Sequence, residues 1–146
     1  MIAHGINHGR SLDGTTRWFA KIGFKAPRIN AYLSSINELA IGSALVLGLL
    51  TSVAAAGLAA IMLGAFWAVH RFAGFFVFHR PDEGYEYVAT LSVIALGLAV
   101  AGPGSISADA ALGLDETLSG WTGGAIFLAG LALAGVQLAL FWRRPE

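Results

Sequence analysis

From Leu39 to Val69 the chain runs 31 residues without a charge, and its main polar break is Thr51-Ser52. One helix of that length would measure about 46 Å, against a bilayer hydrocarbon core of roughly 30 Å. The stretch therefore predicts most of two membrane crossings joined by a tight turn. Extending the same reading gives four apolar segments, at about 30–50, 52–70, 86–101 and 121–142. Gly102-Pro103-Gly104 punctuates the end of the third, and Trp121 and Trp142 bracket the fourth as a pair of interfacial aromatic anchors. The expected fold is an all-α, polytopic transmembrane helical bundle with four crossings.

Shorter patterns predict surface elements. Thr15 to Lys25 sets Trp18, Phe19 and Ile22 against Arg17, Lys21 and Lys25, as an amphipathic helix lying in a membrane interface would. Arg71 to Arg80 surrounds Phe72, Phe75, Phe76 and Phe78 with Arg71, His79 and Arg80. That segment reads as an interfacial anchor or as an entry surface for a lipid or quinone. Small residues recur at helix-packing spacing, as Ala56, Ala60, Gly64 and Ala68 and again as Gly130 and Ala134. In lipid such positions let helix backbones approach closely.

Composition agrees with the pattern. Of 146 residues, 56% are hydrophobic and 12% charged, too little polar surface to coat a soluble globule. The absence of cysteine excludes disulfides, thiolate metal sites and thiol redox chemistry by this chain. A net charge of zero gives no sign of nucleic acid. Met1-Ile2-Ala3-His4 lacks the basic start and apolar core of a signal peptide. With four crossings all nine Lys and Arg fall on one side, and the positive-inside rule makes that side, and the C-terminus, cytoplasmic.

The candidate chemistry is a set of polar residues expected near the cytoplasmic leaflet: His4, His8, Glu38, His70 and Glu86. Ionisable groups at that depth pair, relay protons or bind a polar ligand. Each also has a plainer reading. Glu38 could sit at an N-terminal helix end, where the dipole favours a carboxylate. His70 could end a helix beside Arg71, and Glu86 could be solvated in a wet loop with Asp82 and Glu83. His4 and His8 have i, i+4 metal-pair spacing but no third ligand in sequence, so no metal site is expected. Phosphate loops, nucleophile elbows, zinc-protease motifs and Glu-x-x-His repeats are all missing, so no catalytic residue is assigned.

The ordered set His4-Gly5, Leu12-Asp13-Gly14, Ile22-Gly23, Glu38-Leu39 with Gly42, Leu47-Gly48-Leu49, His70, Gly84 with Glu86, and Gly102-Pro103-Gly104-Ser105 with Ser107 and Asp109 resembles the DoxX family. The resemblance spans about 1–112, leaving 113–146 as an additional C-terminal transmembrane helix. It implies a small helical protein of a bacterial plasma membrane, with the family's first helix truncated to Met1-Ile2-Ala3, and places His4, Glu38, His70 and Glu86 at the family's recurrent polar positions. It further implies association with redox systems, and the lack of a thiol, flavin or haem signature together with the small-residue helix faces makes an accessory subunit of a quinone-linked redox or respiratory complex the expected function. The partners would be other membrane subunits and the lipid bilayer, and the one cofactor suggested is a membrane quinone. A quinone-binding oxidoreductase subunit of the thiosulfate:quinone type is the alternative. A small-solute or lipid transporter ranks third, because the outer halves of the helices offer only minor polar groups such as Ser43 and Ser92.

Overall fold

The computed structural model describes residues 1–78 and 83–145, and every regular element among them is helical. His79, Arg80 and Asp82, which entered the interfacial and topological expectations, lie outside the described residues. Four long helices occupy the four expected apolar segments: α3 (Pro27–Leu47), α4 (Thr51–Ala68), α5 (Glu86–Ala101) and α8 (Gly120–Phe141). Before them come α1 (Ile2–Arg10) and α2 (Leu12–Lys21), and two short helices, α6 (Ala108–Leu112) and α7 (Asp115–Leu118), fill the α5–α8 connection. A 3-10 turn, His70–Phe72, follows α4.

Among the described residues, only α4 and α8 are both long and apolar enough to cross a membrane. Helix α5 is apolar but has 16 residues, and α3 has 21 but is polar in its first half, with Arg28, Asn30, Ser34, Ser35, Asn37 and Glu38. One face of that half is covered by α1 and α2, with Ser35 and Glu38 buried beside α1, while the buried Asn30 accepts from Gln137 of α8 (3.3 Å). The amphipathic helix runs Leu12–Lys21, starting three residues before and ending four before the segment its charge pattern suggested, so Ile22 and Lys25 fall beyond it; Thr15 and Phe19 are its buried residues.

Helix α4 is central, packing on α8, α5 and α3. Its face is almost wholly small residues: Ala54, Ala55, Ala56 and Ala59 are buried, with Leu58 and Met62 filling the gaps toward Val88, Ala95, Ala99 and Phe127. The expected small-residue contact exists at Gly130, where a Cβ would stand 2.9 Å from the Cβ of Ala56. Gly123 is tighter still, pressed onto the Ala99 carbonyl. Gly64 faces open space, so the stripe is interrupted there, although Ala68 at its end is buried against Leu138 and Trp142.

Two polar knots hold the ends of the bundle. At one, Asp109 is fully buried and accepts the amides of Leu50 (2.6 Å) and Thr51 (2.8 Å), while its own amide donates to Gly48 O (2.9 Å). Gly48 ends α3 in the left-handed region, and a Cβ there would lie 2.6 Å from that of Ser107. Leu50 is also left-handed (φ 47°), a conformation costly for a branched residue, and Asp109 caps its amide. Burial alone would raise the pKa of Asp109, but the hydrogen bonds from Thr51 and Leu50 prevail and hold it below the ordinary carboxylate value. Beside it the buried Ser52 hydroxyl is shared between Ala99 O (2.9 Å) and Leu118 O (2.7 Å).

The opposite knot ties the end of α8 to the α2–α3 link. Lys25 N donates to Phe141 O (2.7 Å), Arg143 N to Gly23 O (2.9 Å), and the Trp142 indole to Ile22 O (2.8 Å). Trp142 is buried against Ala68 and Leu138, so it is a packing residue and not the lipid-facing anchor its position suggested. Trp121, 96% exposed, does face outward. These bonds set the start of α3 and the end of α8 at one end of the bundle, with Lys21, Lys25, Arg28, Arg143 and Arg144 gathered there.

Candidate functional site

Helix α1 builds the site by lying against α3. Gly5 and Gly42 allow the approach: a Cβ on Gly5 would meet Leu39 at 2.8 Å, and one on Gly42 would meet Ile2 at 2.7 Å. The two helices thus run antiparallel, and His8 is set beside Glu38. The Thr15 hydroxyl donates to His8 O (3.0 Å) and fixes the bend between α1 and α2.

Glu38 is 4% exposed and lies in the middle of α3, eleven residues past Pro27, so the helix-end explanation for it fails. Its Oε1 accepts from the Ser34 hydroxyl at 2.9 Å. Its Oε2 stands 3.3 Å from His8 Nδ1, the one ion pair among the described residues. The two atoms are close but poorly aligned, and each is buried without a hydrogen-bond partner. Glu38 raises the pKa of His8 above its ordinary 6.5, against the lowering effect of burial. His4 meets His8 edge to face, with ring centroids 6.2 Å apart, and Trp18 flanks His8 at the same separation.

The other two candidates lie elsewhere. His70, in the 3-10 turn after α4, has its Nδ1 2.8 Å from the Glu83 carbonyl oxygen and lines an open cleft with Lys21, Phe72 and Arg144. Glu86 opens α5 and accepts from the Val77 amide at 3.4 Å, closing the Phe-rich loop. That loop is held by the backbone bonds Gly84 N to Phe76 O and Tyr85 N to Gly74 O, and it exposes Phe72, Phe75, Phe76 and Phe78. The structure therefore joins His4, His8 and Glu38 through α1 and α3. Among the described residues no hydrogen bond or ion pair connects that group to His70 or Glu86. No group of three metal-ligating side chains occurs among the described residues.

Two contributors were not singled out from the sequence. Ser34, one turn before Glu38, was visible as an i, i+4 pair. Trp18 was noted only as an interfacial residue. Chemically, the site is a buried carboxylate and an imidazole in contact, each with hydrogen-bonding capacity left over. It can hold a proton and exchange it between the two groups.

The family model described as DoxX matches residues 1–71, which cover α1 to α4 and include His4, His8, Glu38 and His70. No curated protein and no solved structure matches the chain.

Proposed function

With residues 1–71 taken as a DoxX-family segment, we propose that the chain is a membrane-embedded subunit of a quinone-linked redox complex. In this reading α3, α4, α5 and α8 all cross the bilayer of a bacterial plasma membrane, with the basic end of the bundle cytoplasmic. The division into a DoxX-like unit at 1–112 and an added helix at 113–146 belongs to the same proposal. The accessory role rests on the broad apolar surface of α8, where Leu128, Leu133, Val136 and Leu140 are exposed and suit lipid or neighbouring helices.

The observation that carries the redox assignment is the His8–Glu38 contact. A buried carboxylate on a helix within or beside lipid is costly and persists when it pairs or has a task. Here Glu38 Oε2 and His8 Nδ1 are buried without a hydrogen-bond partner; a protonated His8 would donate to a quinone carbonyl, and Glu38 would accept from the hydroxyl of the quinol. A quinone, when bound, takes up two electrons and two protons. His8 would hold a proton for delivery, Glu38 would stabilise the charged imidazole, and Ser34 would keep the carboxylate oriented. His70 and Glu86, on other elements, would serve the cytoplasmic entry region and not the proton-holding pair.

The test is purification in mild detergent with assay of bound quinone and co-purifying proteins. The reading expects a larger complex containing quinone, with quinone lost in Glu38→Gln and the complex retained. Isolation of a single small protein would discard the subunit role, and unchanged quinone in Glu38→Gln would discard the site.

A further inference from the structure

Between α4 and α8, toward the basic end, runs an apolar groove of about 400 Å³. Leu63 and Trp67 form one wall, Gly135 and Leu138 the other, and Trp142 contributes its ring. Gly135 lines the groove without a side chain, and a Cβ there would find no heavy atom within 4 Å. Arg143 and Arg144 line its mouth. Arg144 also lines the neighbouring cleft of about 650 Å³ together with Lys21, His70 and Glu83. Arg71 lies over the Trp67 ring at 4.1 Å and over the Trp142 ring at 5.4 Å. Among the described residues none of these cations has a carboxylate within ion-pair distance.

We propose that this groove holds an anionic phospholipid, with an acyl chain between α4 and α8 and its phosphate at Arg144, flanked by Arg143 and Lys21. Charge complementarity selects this occupant. A neighbouring apolar helix or a zwitterionic lipid could fill the groove, but neither would bring net negative charge to the cluster at its mouth. Basic pockets between helices at the cytoplasmic face recognise anionic headgroups, and each nearby Lys or Arg adds about 1 kcal/mol, or about fivefold in affinity. Arg144 is the best placed, since its guanidinium stands over Phe72 at 5.3 Å while Arg143 already donates to Ala139 O and Trp142 O. The inference needs the membrane setting but not the quinone site.

Trp67 and Trp142 make the groove observable. In a Trp18→Phe, Trp121→Phe background they are the remaining tryptophans, and bromine on an acyl chain quenches tryptophan on contact. The protein would be reconstituted in phosphatidylcholine vesicles carrying a minor fraction of brominated phosphatidylglycerol or of brominated phosphatidylcholine. Half-maximal quenching is expected at an about fivefold lower fraction of the anionic lipid. Arg144→Gln, at an exposed position outside the helices, should remove most of that preference. Gly135→Leu should reduce quenching by both lipids. Equal quenching by the two lipids would overturn the proposal and leave an ordinary lipid annulus. An undiminished preference in Arg144→Gln combined with Lys21→Gln would also overturn it, as would a groove that neither lipid reaches because another helix covers it.

Discussion

Asp109 and Glu38 are both buried carboxylates, and their surroundings give them opposite characters. Asp109 is satisfied by two backbone amides at the mouth of α4, so its work is structural. Asp109→Ala should cost about 1–3 kcal/mol, since it strips a charged cap from a left-handed Leu50, and a lowered melting temperature in detergent would register it. Because its pKa is depressed, its stabilisation is in place above the ordinary carboxylate pKa near 3.8 and fades only as pH falls through the lower folded value. Melting scans of wild type against Asp109→Asn should therefore keep a constant gap at neutral pH that narrows in strong acid. His8 has the opposite sign. Its pKa is raised, so the His8–Glu38 contact stabilises fully below pH 6.5 and is lost as pH rises through the higher folded value. Wild type should lose melting temperature across that window relative to His8→Gln, and parallel curves would show that the pair carries no charge-coupled stability.

At the scale of elements, α8 is held by backbone proximity. Gly123 and Gly130 sit on Ala99 and Ala56, whereas Gly64, on the same kind of spacing, touches nothing. Gly130→Leu should force α8 from α4 and lower the melting temperature strongly, by several kcal/mol of overpacking, while Gly64→Leu should be nearly neutral. Comparable losses from both would mean that Gly64 packs against something outside this chain. The long helices were legible because an uncharged run ended by Thr51-Ser52 or Gly102-Pro103-Gly104 leaves few places to turn. The start of α3 was not, since Arg28, Asn30 and Ser34 interrupt the apolar pattern: Arg28 stays exposed, Asn30 is met by Gln137 of α8, and Ser34 bonds to Glu38. Helix α1 itself is nine residues with His4, Asn7, His8 and Arg10, and its sequence alone does not reveal that Gly5 docks on Leu39. For the site, the spacing of His4 and His8 was legible, but the separation of thirty positions from His8 to Glu38 hid their pairing, which depends on Gly5 and Gly42. Trp142 was misread for a related reason: its indole is taken by Ile22 O, a long-range bond with no local signature.

On the scale of the whole molecule, the four long helices alternate in direction, and the basic side chains collect where α3 begins and α8 ends. That arrangement supports the reading of Arg144 as a contact for inner-leaflet lipid, whereas Glu38, eleven residues past Pro27, lies midway along α3 and deeper than the leaflet edge expected for it. Because the native chain has no cysteine, single cysteines report position without background. Ala20→Cys and Pro145→Cys, both exposed and neutral, leave the charge pattern intact, and Ile106→Cys, at a site 98% exposed, marks the other end. Labelling with a membrane-impermeant maleimide on intact cells and on inverted vesicles tests the account most directly. Positions 20 and 145 should react only in inverted vesicles and position 106 only in intact cells. Reaction of positions 20 and 145 from opposite faces, or of all three from one face, would contradict it.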